Sequence, residues 1–178
     1  MVTILQREDP ILRQKAASVP LSDIGTPAFK KILADMQEAM FQQKDGIAIA
    51  APQIGVPLRI FMVSGPLLKQ ADKIGDGTDL VFINPEITKL SKDKHEVEEG
   101  CLSVRWLYGT MRRSTRATIK ALNEKGEKVE RGAKGLLAQI FQHECDHLEG
   151  ILFTDHAKDT WEMTEEEIAE AKGEKQEK

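Results

Sequence analysis

The sequence contains little cysteine and no long apolar run, and each shortage excludes a class of protein. Only two cysteines, Cys101 and Cys145, occur among 178 residues. A small secreted scaffold stabilised by disulfides would contain more, so we expect both thiols to be reduced and the protein to be cytoplasmic. No run of about 18 apolar residues is present, and residues 1–20 lack the apolar stretch of a signal peptide. We therefore expect neither secretion nor a membrane span.

The sequence also lacks an excess of positive charge. The 25 Lys and Arg residues are outnumbered by 29 Asp and Glu residues, which gives a net charge of −4. No broad basic surface is evident, so we expect no direct binding of nucleic acid. The length and a hydrophobic content of 40% suit one folded domain. We expect residues 1–163 to form that domain, and residues 164–178 to add a C-terminal helix and a polar tail to it.

Histidine is scarce too, and its placement is informative. Two of the four histidines lie in one short motif, His143-Glu144-Cys145-Asp146-His147. Apolar residues at helical spacing predict a helix over 133–149, with Gly150 as its end. Positions four apart share one helix face, so both imidazoles can bind one metal ion while Glu144 acts on a water molecule there. The alternative is a helix with two ordinary histidines.

A catalytic ion needs a third protein ligand, and the residues leave more than one source open. A third histidine six residues after His147 is excluded because residue 153 is Phe. A downstream glutamate among Glu165–Glu167 has suitable spacing, although these acids also suit the first turn of a last helix, where Thr164 and Glu167 form a capping box. Cys101 is the remaining candidate, since thiolate binds zinc or ferrous iron well. Its ordinary role would be that of a small buried hydrophobe.

The rest of the pattern predicts a mixture of helices and strands. Thr26 as N-cap and Pro27 as first residue predict an amphipathic helix over 27–44, ended by Gly46. Residues 70–79 are polar and contain glycine, which indicates a surface loop. Strands are predicted at 57–64, 80–84 and 87–90 and in the two arms of a hairpin, 113–122 and 128–132.

Three segments together resemble the peptide deformylase family. They are Gly46–Gln53 (GIAIAAPQ), Glu99–Ser103 (EGCLS) and Gln142–His147 (QHECDH), in the family's order and spacing. The similarity runs from Asp9 to about His156. The resemblance implies an α+β fold in which antiparallel strands pack around a central helix carrying the HExxH-type motif, with an N-terminal and a C-terminal helix in addition. It also implies that residues 1–163 are a metallohydrolase domain.

The resemblance implies a metal site and a substrate. Cys101, His143 and His147 would bind one divalent ion per chain, Fe²⁺ in the native enzyme, with Zn²⁺ or Ni²⁺ as alternatives. The reaction implied is removal of the N-formyl group from the N-terminal methionine of newly made polypeptides, with release of formate. Nascent formyl-Met chains are then the expected partners, and the ribosome is a further candidate. No membrane partner is expected.

The resemblance also implies roles for residues around the ion. Glu144 would be the general base and acid, and the Gln53 amide and the Leu102 backbone N–H would stabilise the oxyanion. Leu136 and Ile140 precede His143 by seven and three residues, so they share its helix face. An apolar pocket for the methionine is expected from Ile47, Ala48, Val97, Leu136 and Ile140, although Leu136 and Ile140 would also suit the core.

The sequence departs from the family pattern at three places. Ala48 stands where glycine is usual, Ile49 replaces a common leucine, and Arg105-Trp106 follows where a proline is usual. None is an expected ligand, base or amide donor, so the departures bear on substrate preference. Two other hypotheses remain: a zinc peptidase with a downstream glutamate ligand, and a binding module with a structural ion, which would need a fourth protein ligand.

Overall fold

The computed structural model describes residues 2–72 and 75–172. The helices there are α1 (Pro27–Phe41), α2 (Gly65–Asp72), α3 (Gly135–Leu148) and α4 (Glu165–Lys172). The strands are β1 (Ala48–Ala50), β2 (Ile60–Val63), β3 (Leu80–Leu90), β4 (Lys94–Cys101), β5 (Val104–Ser114), β6 (Arg116–Leu122), β7 (Lys128–Lys134) and β8 (Thr160–Glu162). The expected polar tail lies, from residue 173 on, outside the described residues.

The strands form two antiparallel sheets. One has five strands in the order β1-β2-β3-β6-β7, and the other has three in the order β4-β5-β8. Helix α3 contacts β1, β3, β6 and β7 of the first sheet and β5 of the second. Its apolar side packs into the core through residues that include Leu137, Phe141 and Leu148. The mixture of helices and antiparallel sheets confirms the coarser part of the predicted fold class, an α+β fold with antiparallel strands.

Helix α1 begins where the sequence predicts and ends earlier. The Thr26 hydroxyl accepts a hydrogen bond from the Phe29 N–H at 3.2 Å, as expected of an N-cap. The prediction that Gly46 ends this helix is wrong, because α1 stops at Phe41. Gly46 instead lies where the chain turns back into β1, and only glycine fits there because a Cβ would collide with the Met40 carbonyl oxygen.

Three other local predictions differ from the structure. Residues 70–72 belong to α2 rather than to a loop. The strands predicted at 80–84 and 87–90 are one strand, β3, whose register shifts near Asn84, a residue at φ 50°. Strand β5 was not predicted as a separate strand: its last two residues, 113–114, were assigned to the first arm of the hairpin, and the rest shows little alternation between buried and exposed positions.

The hairpin and the last helix agree with prediction. Strands β6 and β7 pair from Arg116–Lys134 to Leu122–Lys128. Ahead of α4, the Glu167 N–H donates to the Thr164 hydroxyl at 3.3 Å, and the Thr164 N–H donates to the Glu167 carboxylate at 2.7 Å. No helix within the described ranges is both long and apolar enough to cross a membrane.

Candidate metal centre

Helix α3 positions both motif histidines on one face. The ring centroids of His143 and His147 are 4.9 Å apart, and the ring planes cross at 78°. The helix ends at Leu148, and Gly150, the residue predicted to stop it, follows two positions later with a left-handed φ of 76° and an N–H that donates to the His147 carbonyl at 3.1 Å. The two imidazoles are therefore fixed at the C-terminal end of a helix that is buried along its apolar side.

Cys101 reaches the same place from the other sheet. It is the last residue of β4, where the chain turns sharply into β5 and Cys101 pairs with Val104. Its Sγ lies 3.2 Å from His147 Nε2. The ligand atoms of Cys101, His143 and His147 all lie within 4.8 Å of one another, and no other such set occurs in residues 2–72 and 75–172. One sulfur and two imidazole nitrogens suit zinc or ferrous iron.

The other source of a third ligand is not close by. Glu165, Glu166 and Glu167 form the first turn of α4, and none belongs to the Cys-His-His group. The Glu167 carboxylate is occupied by the Thr164 hydroxyl and N–H. Phe153, at the position of the excluded third histidine, is buried and its ring stacks at 6.4 Å from the His143 ring.

Electrostatics favour the thiolate form of Cys101. Burial raises the pKa of this thiol, but the charge of His147 and hydrogen bonds with both imidazoles outweigh it and bring the pKa to about 5. The sulfur also accepts from the Ser103 N–H at 3.4 Å and from Gln53 Nε2 at 3.5 Å. Thiolate is the form that binds metal ions, so the protein prepares this ligand in advance.

Two buried polar atoms at the centre have no partner among the described residues. They are Oε2 of Glu144 and Nδ1 of His147. Buried polar groups are normally satisfied, and an unpaired one calls for a water or an ion. Oε2 of Glu144 is available to a water molecule at the centre, so the centre fits an ion that carries one. Nδ1 of His147 is on the other side of its ring from Nε2, the atom that lies 3.2 Å from the Cys101 sulfur.

The carboxyl group of Glu144 has a raised pKa. Its side chain is buried, and this burial raises the pKa of the carboxyl group to about 7 against the lowering effect of the His143 and His147 charges. A group whose pKa lies near neutrality can both take up and release a proton efficiently.

Gln53 lies beside the thiol. It belongs to a short 3₁₀ helix, Ala51–Ile54, that directly follows β1. Its Oε1 accepts from the Ala50 N–H at 2.8 Å, which leaves Nε2 to donate to Ser103 Oγ at 3.1 Å and towards Cys101. The amide is thereby fixed with its N–H groups directed at the centre.

A chain of charges behind His143 was not predicted from the sequence. His143 Nδ1 lies 3.0 Å from Glu99 Oε2. Glu99 is buried and pairs with Arg113 through two bonds, at 2.7 and 2.9 Å, and Arg113 also donates to Asp146 at 2.7 Å. Such a carboxylate fixes the tautomer and orientation of a metal-binding imidazole. Glu99 precedes Cys101 by two residues and so shares its strand face, a signal in the sequence that could have revealed its role.

A cavity opens onto the centre. Its lining includes the apolar residues Ile47, Ala48, Leu136 and Ile140, together with Gln53, Cys101, Leu102, His143 and Glu144. Val97, the fifth expected pocket residue, does not line it. Val97 lies on the strand face of Glu99 but packs against a separate cluster of Val104, Met111, Leu152 and Phe153.

Comparisons with known proteins agree in one family. The model of the polypeptide deformylase family matches residues 1–162. Peptide deformylase 2 of Clostridium acetobutylicum is 42% identical over 149 residues, which cover 83% of this chain and 89% of that protein. The peptide deformylase of Thermomicrobium roseum is 40% identical over 176 residues, which cover 95% and 96%.

Solved structures give the same result. The Met-Ala-Ser-bound class I type b peptide deformylase from Acinetobacter baumannii has a TM-score of 0.78 and 32% identity, with 87% of this chain and 97% of that chain covered. The peptide deformylase from Thermotoga maritima has a TM-score of 0.77 and 34% identity, with 89% and 99% covered.

Proposed function

Since the chain belongs to the polypeptide deformylase family, metal-dependent enzymes that remove the formyl group from N-terminal methionine peptides, we propose that it performs this hydrolysis at Cys101, His143 and His147. The observation that carries the proposal is the convergence of these three ligand atoms, from two separate elements, within 4.8 Å. Residues 1–163 then act as one metallohydrolase domain, with residues 164–178 attached to it. Newly made formyl-Met chains are the substrates, and the cytoplasm is the proposed location.

The ion supplies Lewis-acid chemistry when bound: it polarises the formyl carbonyl and lowers the pKa of water. Glu144 takes the proton from the attacking water and later gives it to the nitrogen that leaves as the free amine. Its raised pKa, about 7, suits both steps. The products are formate and a peptide with a free methionine amino group.

Gln53 and Leu102 stabilise the negative charge that develops on the formyl oxygen. The Gln53 Nε2 group is 3.5 Å from Cys101 Sγ, and Leu102 directly follows Cys101 in the cavity wall. Donors that are already aligned cost no reorganisation during the reaction. We assign the Gln53 amide and the Leu102 backbone N–H to this role.

The methionine side chain binds in the apolar part of the cavity. Ile47, Ala48, Leu136 and Ile140 line that part, beside His143. The backbone near Ile47, Ala48 and Leu102 can pair with an extended peptide in the manner of an added strand. We leave Val97 out of this pocket because it faces a different cluster.

We propose ferrous iron as the native ion, with zinc or nickel able to replace it. A site of one thiolate and two imidazoles binds all three metals, so the choice depends on availability and oxidation. Formate release from formyl-Met-Ala-Ser, measured on protein prepared without and with air and paired with metal analysis, tests both parts. Activity that is lost in air together with iron supports the proposal, whereas equal activity in both preparations contradicts the choice of iron.

A paired cysteine substitution tests the ligand set. Cys101→Ala removes the sulfur, whereas Cys145→Ala removes a thiol that is buried in the core and whose pKa burial raises to about 12. We expect Cys101→Ala to lose bound metal and formate release, and Cys145→Ala to keep both. Metal retained by Cys101→Ala would instead favour a zinc peptidase with a glutamate ligand.

A further inference from the structure

An ion pair within the cavity lining joins two segments that are 60 residues apart in the sequence. Asp45 lies two residues before Ile47, Arg105 directly follows Val104, and both line the cavity. The Arg105 guanidinium donates to both oxygens of the Asp45 carboxylate, at 2.5 and 3.0 Å. Such a two-bonded pair is the strongest form of this contact and fixes both side chains.

Arg105 is held from several sides. Its Nη2 donates to Gln43 Oε1 at 2.8 Å, and its guanidinium carbon lies 4.6 Å from the centre of the Trp106 ring. The Arg105 side chain is 17% exposed and that of Asp45 is 34% exposed. The pair therefore remains accessible to a ligand, while the guanidinium is already oriented before a ligand arrives.

The position of the Asp45–Arg105 pair in the cavity determines which part of the substrate it contacts. The metal centre takes the formyl group, and the apolar lining beside His143 takes the methionine side chain. The same cavity is also lined by Asp45, Glu98, Arg105, Trp106, Leu107 and Tyr108. A peptide that continues from a methionine bound in this cavity can therefore reach these residues.

We propose that Asp45 and Arg105 determine the charge preference of the enzyme at the substrate residues that follow methionine. While paired, the charges of Asp45 and Arg105 offset each other, and the exposed Glu98 is a further negative charge of the lining. If Asp45 is neutralised, Arg105 attracts an acidic side chain. If Arg105 is neutralised, Asp45 and the exposed Glu98 attract a basic one. The proposal rests on the proposed function, because it concerns the same cavity.

The test compares formyl-Met-Glu-Ser with formyl-Met-Lys-Ser and measures kcat/KM for formate release by both. Asp45→Asn should raise the Glu-to-Lys ratio on the order of tenfold, and Arg105→Gln should lower it by a similar factor, mainly through KM. Both shifts should shrink when the ionic strength rises from about 0.05 to about 0.5 M, since salt screens exposed charges. A role limited to the shape of the rim would show no such dependence on salt or on sign.

Asp35→Asn is the matched control, because Asp35 forms a surface ion pair with Lys31 on α1, outside the cavity. We expect the Glu-to-Lys ratio of kcat/KM in Asp35→Asn to match that of the wild type. An unchanged ratio in Asp45→Asn, or shifts of the same sign in both variants, overturns the proposal. If Arg105→Gln does not fold, Asp45→Asn alone decides. Wild-type protein that releases no formate even from neutral formyl-Met-Ala-Ser would instead overturn the proposed function.

Discussion

Replacing Glu99 by Gln should weaken both the fold and the metal site. Glu99 is a buried carboxylate, and its side chain is 2% exposed. It accepts two bonds from Arg113 and faces His143 Nδ1. The Gln amide has one oxygen, so it can satisfy Arg113 or His143 but not both, and its NH₂ group must then face a donor.

The pKa of Glu99 gives the size of the effect on stability. Burial raises this pKa, but the hydrogen bonds from Arg113 and His143 outweigh it and lower the pKa from 4.5 to about 2. A carboxyl whose pKa is lowered in the folded state stabilises the fold above its unfolded pKa. The wild-type protein should therefore gain about 3 kcal/mol from Glu99 at neutral pH, and lose it as the pH falls from about 4.5 towards about 2.

Urea unfolding of the metal-free protein, at several values of pH, measures this contribution. At pH 7, the free energy of unfolding of Glu99→Gln should be about 3 kcal/mol lower than that of the wild type. This difference in free energy should shrink as the pH falls below about 4.5. Metal titration should show affinity lower by about 10- to 100-fold, because His143 loses its orienting partner.

Glu96→Gln is the control, since Glu96 forms only an exposed pair with Lys158 at 3.4 Å. We expect a change below about 0.5 kcal/mol in its unfolding free energy. If Glu99→Gln matched this control in both stability and metal affinity, the orienting role of Glu99 would be refuted.

Three further substitutions separate chemistry from folding. Glu144→Gln should retain the metal and lose about 10²- to 10⁴-fold in kcat, measured as formate release, and full turnover would exclude Glu144 as the base. Gln53→Ala should lower kcat by about 10²- to 10³-fold with unchanged metal content, and a change in KM alone would argue against oxyanion stabilisation. Thr26→Ala should cost about 1 kcal/mol in unfolding free energy with kcat unaltered, because it removes the cap of α1 and the hydroxyl's bond to the Asp23 carbonyl oxygen, and Thr26 does not line the cavity. An equal free energy of unfolding in this variant and the wild type would show that the cap does not stabilise the fold.

The parts of the fold that the sequence predicts well are those fixed by neighbouring residues. Helix α3 follows from apolar residues at helical spacing and from Gly150, and the start of α1 follows from Thr26 and Pro27. Capping and periodicity act within a turn or two, so a single sequence contains their full information. Strand β5 could not be predicted in this way, since it lies between two other strands and shows no alternation of burial.

The features that the sequence did not predict arise from contacts between distant segments of the chain. Arg113 meets Glu99 across the β4–β5 pair, and Arg105 meets Asp45 over a separation of 60 residues. Neither contact leaves a local pattern, because each depends on how the fold brings distant segments together. Val97 was placed in the pocket for its apolar character, but the register of β4 turns it towards Phe153 and Met111.

X-ray absorption spectroscopy of the zinc-loaded protein identifies the atoms that bind the ion. We expect one sulfur at about 2.3 Å and two imidazole nitrogens at about 2.0–2.1 Å around the ion, with the sulfur signal absent from Cys101→Ala. A coordination shell without sulfur in the wild-type protein, or a sulfur signal that survives in Cys101→Ala, would rule out Cys101 as a ligand.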